Sequence, residues 1–148
     1  MFRAGPPRTK EKGSGQGKYR FAWGEPLGWA ECPYVIRWIA ETPWLSVRVH
    51  HWIASDDPRA HHDHPWSFLT FVVRGGYTDK APDGDDHLRA PAVRYRPAHH
   101  RHYVLPDEGG CWTVLVTGPI MRRWGFWVGE KFTKANKWFL SRGHHPCS

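Results

Sequence analysis

The chain has 148 residues, enough for one domain with a sizeable core, and its 40% hydrophobic content with ten Trp excludes disorder throughout. No apolar run approaches the roughly 18 residues of a membrane span. The formal charge is +7, but residues 1–18 carry Arg3, Arg8, Lys10, Lys12 and Lys18 against Glu11, a net of +4; this weighs against nucleic acid as a partner, which needs cationic charge on a folded face. Residues 1–18 are rich in Gly, Pro and Lys and read as a disordered basic arm ahead of a single domain over 19–148. They lack the apolar stretch of a secretory signal, so a cytoplasmic protein is expected.

From Tyr19 onward the signals are those of β structure. Tyr34 to Ile39 is a run of β-branched and aromatic residues. Over Trp44 to Ile53, Leu45, Val47 and Val49 alternate with Ser46, Arg48 and His50, the pattern of a half-buried strand. Trp66 to Arg74 is nearly all apolar, as a strand covered on both faces would be, and Gly75-Gly76 marks its end. Asp79 to Asp86 reads as a polar loop. Further strands are expected at Ala92 to Arg96, Arg101 to Leu105, Cys111 to Thr117 and Arg122 to Val128, with a turn over Pro106 to Gly110. Only Thr133 to Ser141 has helical spacing. Seven to nine short strands separated by frequent turns predict an all-β fold, an antiparallel sandwich or barrel with a short C-terminal helix. Cys32, Cys111 and Cys147 form no C-x-x-C pair and read as free thiols.

Eleven histidines are present, and they cluster as His50-His51, His61-His62-Asp63-His64 and His99-His100-Arg101-His102, with His87, His144 and His145 apart. Alternate residues of a strand share a face, so two imidazoles in H-x-H spacing can reach one ion at metal–nitrogen distances of about 2.0–2.1 Å. His62 and His64 supply such a pair, and His102 or His100 supplies a third ligand from another strand. A chain of this composition holds roughly one H-x-H by chance, so the spacing alone is weak. Asp63 lies between the pair and points to the opposite face.

The order of these features resembles the cupin superfamily. His62-Asp63-His64 leads into an apolar run ending at Gly75-Gly76, and Pro97 stands five residues before His102, as in the two cupin motifs. The resemblance implies a small antiparallel jelly-roll barrel with His62, His64 and His102 around one metal inside it. The glutamate usual after the second histidine is replaced by Phe68 and Leu69, and His99 stands where glycine is usual. A three-histidine site without carboxylate is similar to that of the thiol dioxygenases, and short cupin-like proteins of bacteriophages offer a further likeness. The resemblance implies a divalent ion, Fe²⁺ ahead of Zn²⁺, Ni²⁺ or Mn²⁺, and a small anionic substrate that supplies the missing negative charge. An arginine would hold that anion, with Arg59, Arg48, Arg94 and Arg101 available; as strand residues Arg48 and Arg94 read as solvent-facing. Tyr95 and Tyr103 are candidate acids, and alternation turns Tyr103 away from His102, leaving Tyr95 the better placed. Together these features predict a metal-dependent oxygenase. Two alternatives stay open: a binding module without catalysis, and a metal-free sugar epimerase or isomerase whose histidine base is oriented by Asp56 or Asp57. A homodimer is a further expectation from the resemblance.

Overall fold

The computed structural model describes residues 19–29 and 32–141. The basic arm, His144, His145 and Cys147 lie outside the described residues. In chain order the elements are β1 (Arg20–Trp29), β2 (Cys32–Glu41), β3 (Ser46–Trp52), β4 (His61–His62), β5 (Phe68–Ala81), β6 (Gly84–Arg89), β7 (Ala92–Arg96), β8 (Tyr103–Thr117), β9 (Gly125–Val128), β10 (Lys131–Lys134) and the helix α1 (Ala135–Ser141). The all-β expectation holds, with one short helix at the end of the described chain. A large sheet runs β1-β2-β3-β8-β5-β6, with β7 also on β5, and a small sheet runs β10-β9-β4. All strand pairs are antiparallel. An isolated bridge between His62 and His102 ties the small sheet to the large one.

The long pair β5–β8 is the frame. Its register runs from Phe68 opposite Thr117 to Lys80 opposite Tyr103, shifting between Val72 and Arg74 and again between Gly75 and Tyr77. Gly75-Gly76 therefore bends β5 without ending it, and the expected polar loop is two strands joined at Pro82-Asp83. Gly75 has φ +71°, and a Cβ there would sit 2.3 Å from the Gly110 carbonyl oxygen. Only glycine permits that approach of two backbones. The segment Pro106–Gly110, which reads as a turn, is likewise an irregular stretch inside β8.

Cross-strand register sorts the side chains of the large sheet into two unlike faces. Inward rows are Arg37–His50–Thr113–Val72, Ile39–Arg48–Leu115–Thr70 and Glu41–Ser46–Thr117–Phe68. Outward rows are Trp38–Val49–Val114–Phe71–Val93 and Ala40–Val47–Val116–Leu69–Tyr95. The alternation expected in β3 is present with its polarity reversed: Arg48 and His50 are buried, 4% and 8% exposed, while Val47 is 40% exposed. β5 is not covered on both faces either, because Leu69, Phe71 and Val73 are exposed. Apolar packing is instead gathered at the margins of the polar interior. Tyr34, Val35, Trp52, Val72, Tyr77, Leu88, Val104 and Cys111 form one cluster. Ala60, Phe126 and Phe139 form a second beneath α1, and Trp66, Phe68 and Leu115 a third. Burial pushes the Cys111 thiol up to about 12, which keeps it inert. Cys32 is disulfide-bonded, which corrects the expectation of a free thiol there.

The two backbone roles of glycine can be separated by substitution. Gly84 also has positive φ (+140°), but nothing stands within 4 Å of a Cβ placed on it. Gly84→Ala is expected to cost about 1 kcal/mol through φ strain alone. Gly75→Ala adds a collision with backbone and should cost clearly more in urea denaturation; equal losses would show that the β5–β8 contact yields without penalty.

Candidate metal centre

β4 and the extended segment after it place His62 and His64 on one side of the interior, and the residue preceding β8 places His102 opposite them. The backbones of His62 and His102 exchange both hydrogen bonds, at 2.8 and 3.0 Å, and His64 N–H donates to the Ala98 carbonyl at 3.0 Å. These bonds fix the three Cα positions. His64 Nε2 and His102 Nε2 are 3.1 Å apart, and one ring nitrogen of each of the three histidines lies within 4.8 Å of the others. Two nitrogens bound tetrahedrally at 2.0–2.1 Å would stand about 3.3 Å apart, so the spacing suits convergence on one ion. Phe68 packs edge-on to His64 at 4.7 Å, putting an apolar ring where a carboxylate ligand would otherwise stand.

The proton arrangement favours coordination. Burial, and for His62 and His64 the neighbouring imidazole of His102, holds their pKa values well below the ordinary histidine value. Burial also lowers His102, against an opposing pull from Asp79. All three imidazoles are thus neutral at neutral pH, the form that offers a lone pair. Asp79, 1% exposed, lies 2.6 Å from His102 Nδ1 and 3.0 Å from His100 Nε2, with Arg96 Nε at 3.2 Å. Burial alone would raise Asp79; the hydrogen bonds from His100 and His102 win and hold it well below the usual carboxylate range. A carboxylate accepting from Nδ1–H leaves the Nε2 lone pair of His102 aimed at His64.

Asp56 stands on the other side, its Oδ1 accepting from Val104 N–H at 2.9 Å and its Oδ2 3.3 Å from His62 Nδ1. Burial raises its pKa well above the carboxylate range. Asp63 points away from the histidines, as alternation requires. It is 1% exposed and accepts from Gly125 N–H at 2.8 Å, Arg122 Nη1 at 2.9 Å and Trp127 Nε1 at 3.0 Å.

The histidines open onto a cavity of about 120 Å³. Its walls are mainly apolar, with Trp52, Trp66 and Phe68 prominent, and Arg37, Arg48, His50 and Thr113 add polar groups from the inward face of the large sheet. The structure brings His62, His64 and His102 together but leaves Tyr95 and Arg59 outside the cavity. Tyr95 is opposite Leu69 in register, so alternation turns it to the outer surface, where it is 62% exposed. Arg59 binds Asp57 beside it, at 2.7 and 2.8 Å, and stands over the Trp138 ring outside the cavity lining. His99 is exposed, and His100 supports Asp79 from behind. Arg48, expected to face solvent, lines the cavity, whereas Arg94 pairs with Asp86 at the surface. Asp79 and His50 were hidden in the sequence: only the phase of Tyr77-x-Asp79, carried on past the glycines, marks Asp79 as inward.

The fold has clear counterparts among solved structures. FeII HppE superposes with a TM-score of 0.55 at 16% identity, over 68% of this chain and 56% of that one. KdgF from Halomonas sp. gives 0.52 at 17%, over 70% and 89%. An RmlC-like cupin from Shewanella frigidimarina NCIMB 400 gives 0.51 at 15%, over 72% and 87%. This chain has the cupin fold. No family model and no curated relative matches the sequence, so the likeness to cupins lies in architecture, and the site must be argued from its own residues.

Asp79 can be tested without touching a ligand. Asp79→Asn keeps the shape but removes the carboxylate that orients His102. Zn²⁺ affinity, measured by competition with a chromogenic chelator, should fall about 10- to 100-fold. Unchanged affinity would show that His102 needs no such partner.

Proposed function

We propose that this cupin is a metal-dependent oxygenase acting on a small anionic molecule, with His62, His64 and His102 as the metal ligands. The observation that carries the reading is the convergence of three neutral, buried imidazoles at the wall of a mostly apolar cavity, with no ligating carboxylate among them. Three neutral ligands leave a divalent ion its full charge and open positions, and Fe²⁺ so held would supply redox chemistry toward dioxygen. The chain's own contributions are distinct from that. Asp79 orients His102, Phe68 and Trp66 keep bulk water from His64, and Arg48 stands over Trp66 at 4.9 Å with its charge toward the cavity. Among the solved structures with this fold, HppE is an FeII form, which supports iron as the first ion to test.

The Asp79–His102 pair supports a second reading, a metal-free epimerase or isomerase. A histidine held by a buried carboxylate is a suitable general base. Here Asp79 lies 2.6 Å from His102 Nδ1 and Asp56 lies 3.3 Å from His62 Nδ1, while Asp57 is taken by Arg59. A homodimer belongs to the proposal as well: the outward rows cross five strands without a charged side chain, and such a patch is self-complementary when two copies face each other.

Elemental analysis of protein prepared without a histidine tag decides between the two chemistries. The expected result is near-stoichiometric metal that His62→Ala and His102→Ala both lose, with oxygen uptake by the Fe²⁺-reconstituted wild type in the presence of small carboxylic acids. Little metal after anaerobic reconstitution would reject the oxygenase reading and favour the epimerase.

A further inference from the structure

The polar groups lining the cavity are largely tied to the protein itself. Tyr77 bonds Thr70, and Asp63 receives Arg122. Arg37 is paired with Glu25 and Arg48 with Glu41. Asp56 Oδ2 and His64 Nδ1 have no hydrogen-bond partner, and both belong to the histidine wall, where Asp56 Oδ2 stands 3.3 Å from His62 Nδ1. The large sheet holds another set. His50 is 8% exposed and Thr113 1%, and they are direct cross-strand partners whose side chains both line the cavity. Neither ring nitrogen of His50 nor the Thr113 hydroxyl has a hydrogen-bond partner. Buried polar groups are satisfied in the great majority of cases, and adjacent unpartnered groups facing one space point to something that fills it.

The surroundings of this pair call for a neutral group. Arg37 and Arg48 each have a carboxylate beside them, and Asp56 adds a further carboxyl to the lining, so a ligand charge buried here has no dedicated counter-charge. Burial, with Arg37 and Arg48 nearby, also keeps His50 neutral, with one N–H donor and one lone pair. A hydroxyl both donates and accepts, so it meets the Thr113 O–H together with whichever His50 nitrogen faces it. Direct cross-strand partners stand about 4.5–5.5 Å apart at Cβ, close enough for one oxygen to reach both. We propose that His50 and Thr113 form a recognition subsite of this cavity, and that they hold the hydroxyl group of a small ligand with an apolar body. Trp52, Trp66, Phe68 and Leu115 enclose that body. A cavity of about 150 Å³ holds benzene, so about 120 Å³ limits the occupant to about five to seven non-hydrogen atoms. The inference deepens the oxygenase reading by adding a hydroxyl to its small substrate, and it rests on that reading only for the anionic end at the histidine wall.

Isoamyl alcohol and its isomer isobutyl methyl ether are suitable probes, because the ether accepts hydrogen bonds but cannot donate one. Each is titrated into wild type, Thr113→Val, His50→Leu and His102→Ala while the protein's methyl resonances are followed by NMR. The alcohol should bind wild type at least fivefold more tightly than the ether, a comparison that needs no variant to fold. Both cavity substitutions remove unpartnered polar atoms, so melting temperatures near wild type are expected, and each should weaken the alcohol at least threefold. Absence of alcohol binding would mean that water alone fills the subsite and would overturn the proposal. Equal binding of alcohol and ether, or undiminished binding in both cavity variants, would overturn it as well. His102→Ala separates this proposal from the one above it. Alcohol binding retained in that variant supports the subsite, whatever elemental analysis finds at the histidines. Alcohol binding lost there, or weaker than that of isovalerate in the same variant, counts against a hydroxyl held by His50 and Thr113.

Discussion

The contact between Asp79 and His102, 2.6 Å inside a closed interior, is the interaction on which the site depends. A carboxylate that is 1% exposed must be satisfied by the protein, and here two imidazoles and a guanidinium do so. That requirement settles which nitrogen of His102 faces His64, and therefore which atoms can meet at an ion. It also makes a demand on the fold. Asp79 lies beyond Gly75-Gly76, so β5 must continue past the glycines to bring it opposite Val104, two residues from His102 in β8. The close approach of Gly75 to Gly110 is what lets the two long strands stay paired through that bend. Backbone freedom at one pair of positions thus places a carboxylate three rows away.

The same strands solve a second problem with an inversion. A half-buried sheet ordinarily turns its apolar face to the core, because burial of apolar area is the main driving force. Here the central rows turn Arg37, Arg48, His50, Ser46, Thr113 and Thr117 inward and leave Val47, Leu69, Phe71 and Val116 outward. The polar interior is largely tied off by bonds of its own. Ser46 and Thr117 share a 2.6 Å contact, Arg48 donates to Ser46 at 3.1 Å and to Glu41 at 3.2 Å, and Arg37 bonds Glu25. Burial, with Arg37 and Arg48 alongside, holds His50 well below the ordinary histidine value, so the row gains no further positive charge at neutral pH. A sheet arranged in this way is built around an internal space, with its apolar packing moved to the ends and beneath α1.

Much of this was legible in the sequence, and the rest was hidden for identifiable reasons. The β-rich punctuation, the short helix and the meeting of His62, His64 and His102 follow from local pattern and motif order. Alternation in β3 was equally visible, but period alone does not say which face is inside, so Arg48 and His50 read as solvent-facing. Tyr95 failed for the same reason: its direction is set by pairing with Leu69, a partner 26 residues away that no local window contains. Gly75-Gly76 and Pro106–Gly110 read as chain reversals because glycine serves tight turns and bulges alike, and only the register between β5 and β8 distinguishes them. Asp79 was then lost inside a loop that does not exist.

The segment His62-Asp63-His64 shows how one motif can serve the cavity and its support together. Its histidines face inward, while Asp63 on the opposite side receives the Gly125 N–H, the Trp127 indole N–H and the Arg122 guanidinium. Those three donors come from β9 and the segment leading into it, and Arg122 also donates to the Ala98 carbonyl at 3.1 Å, the residue whose carbonyl accepts from His64 N–H. Asp63 is therefore a buried anchor that holds the small sheet, the histidine pair and the approach to His102 as one unit. A neutral residue between the histidines would leave the inward-facing imidazoles unchanged in kind but remove the carboxylate that fixes their backbone. The carboxylate of this motif is thus turned through one residue from the inward-facing imidazoles, where it acts on the geometry of their backbone.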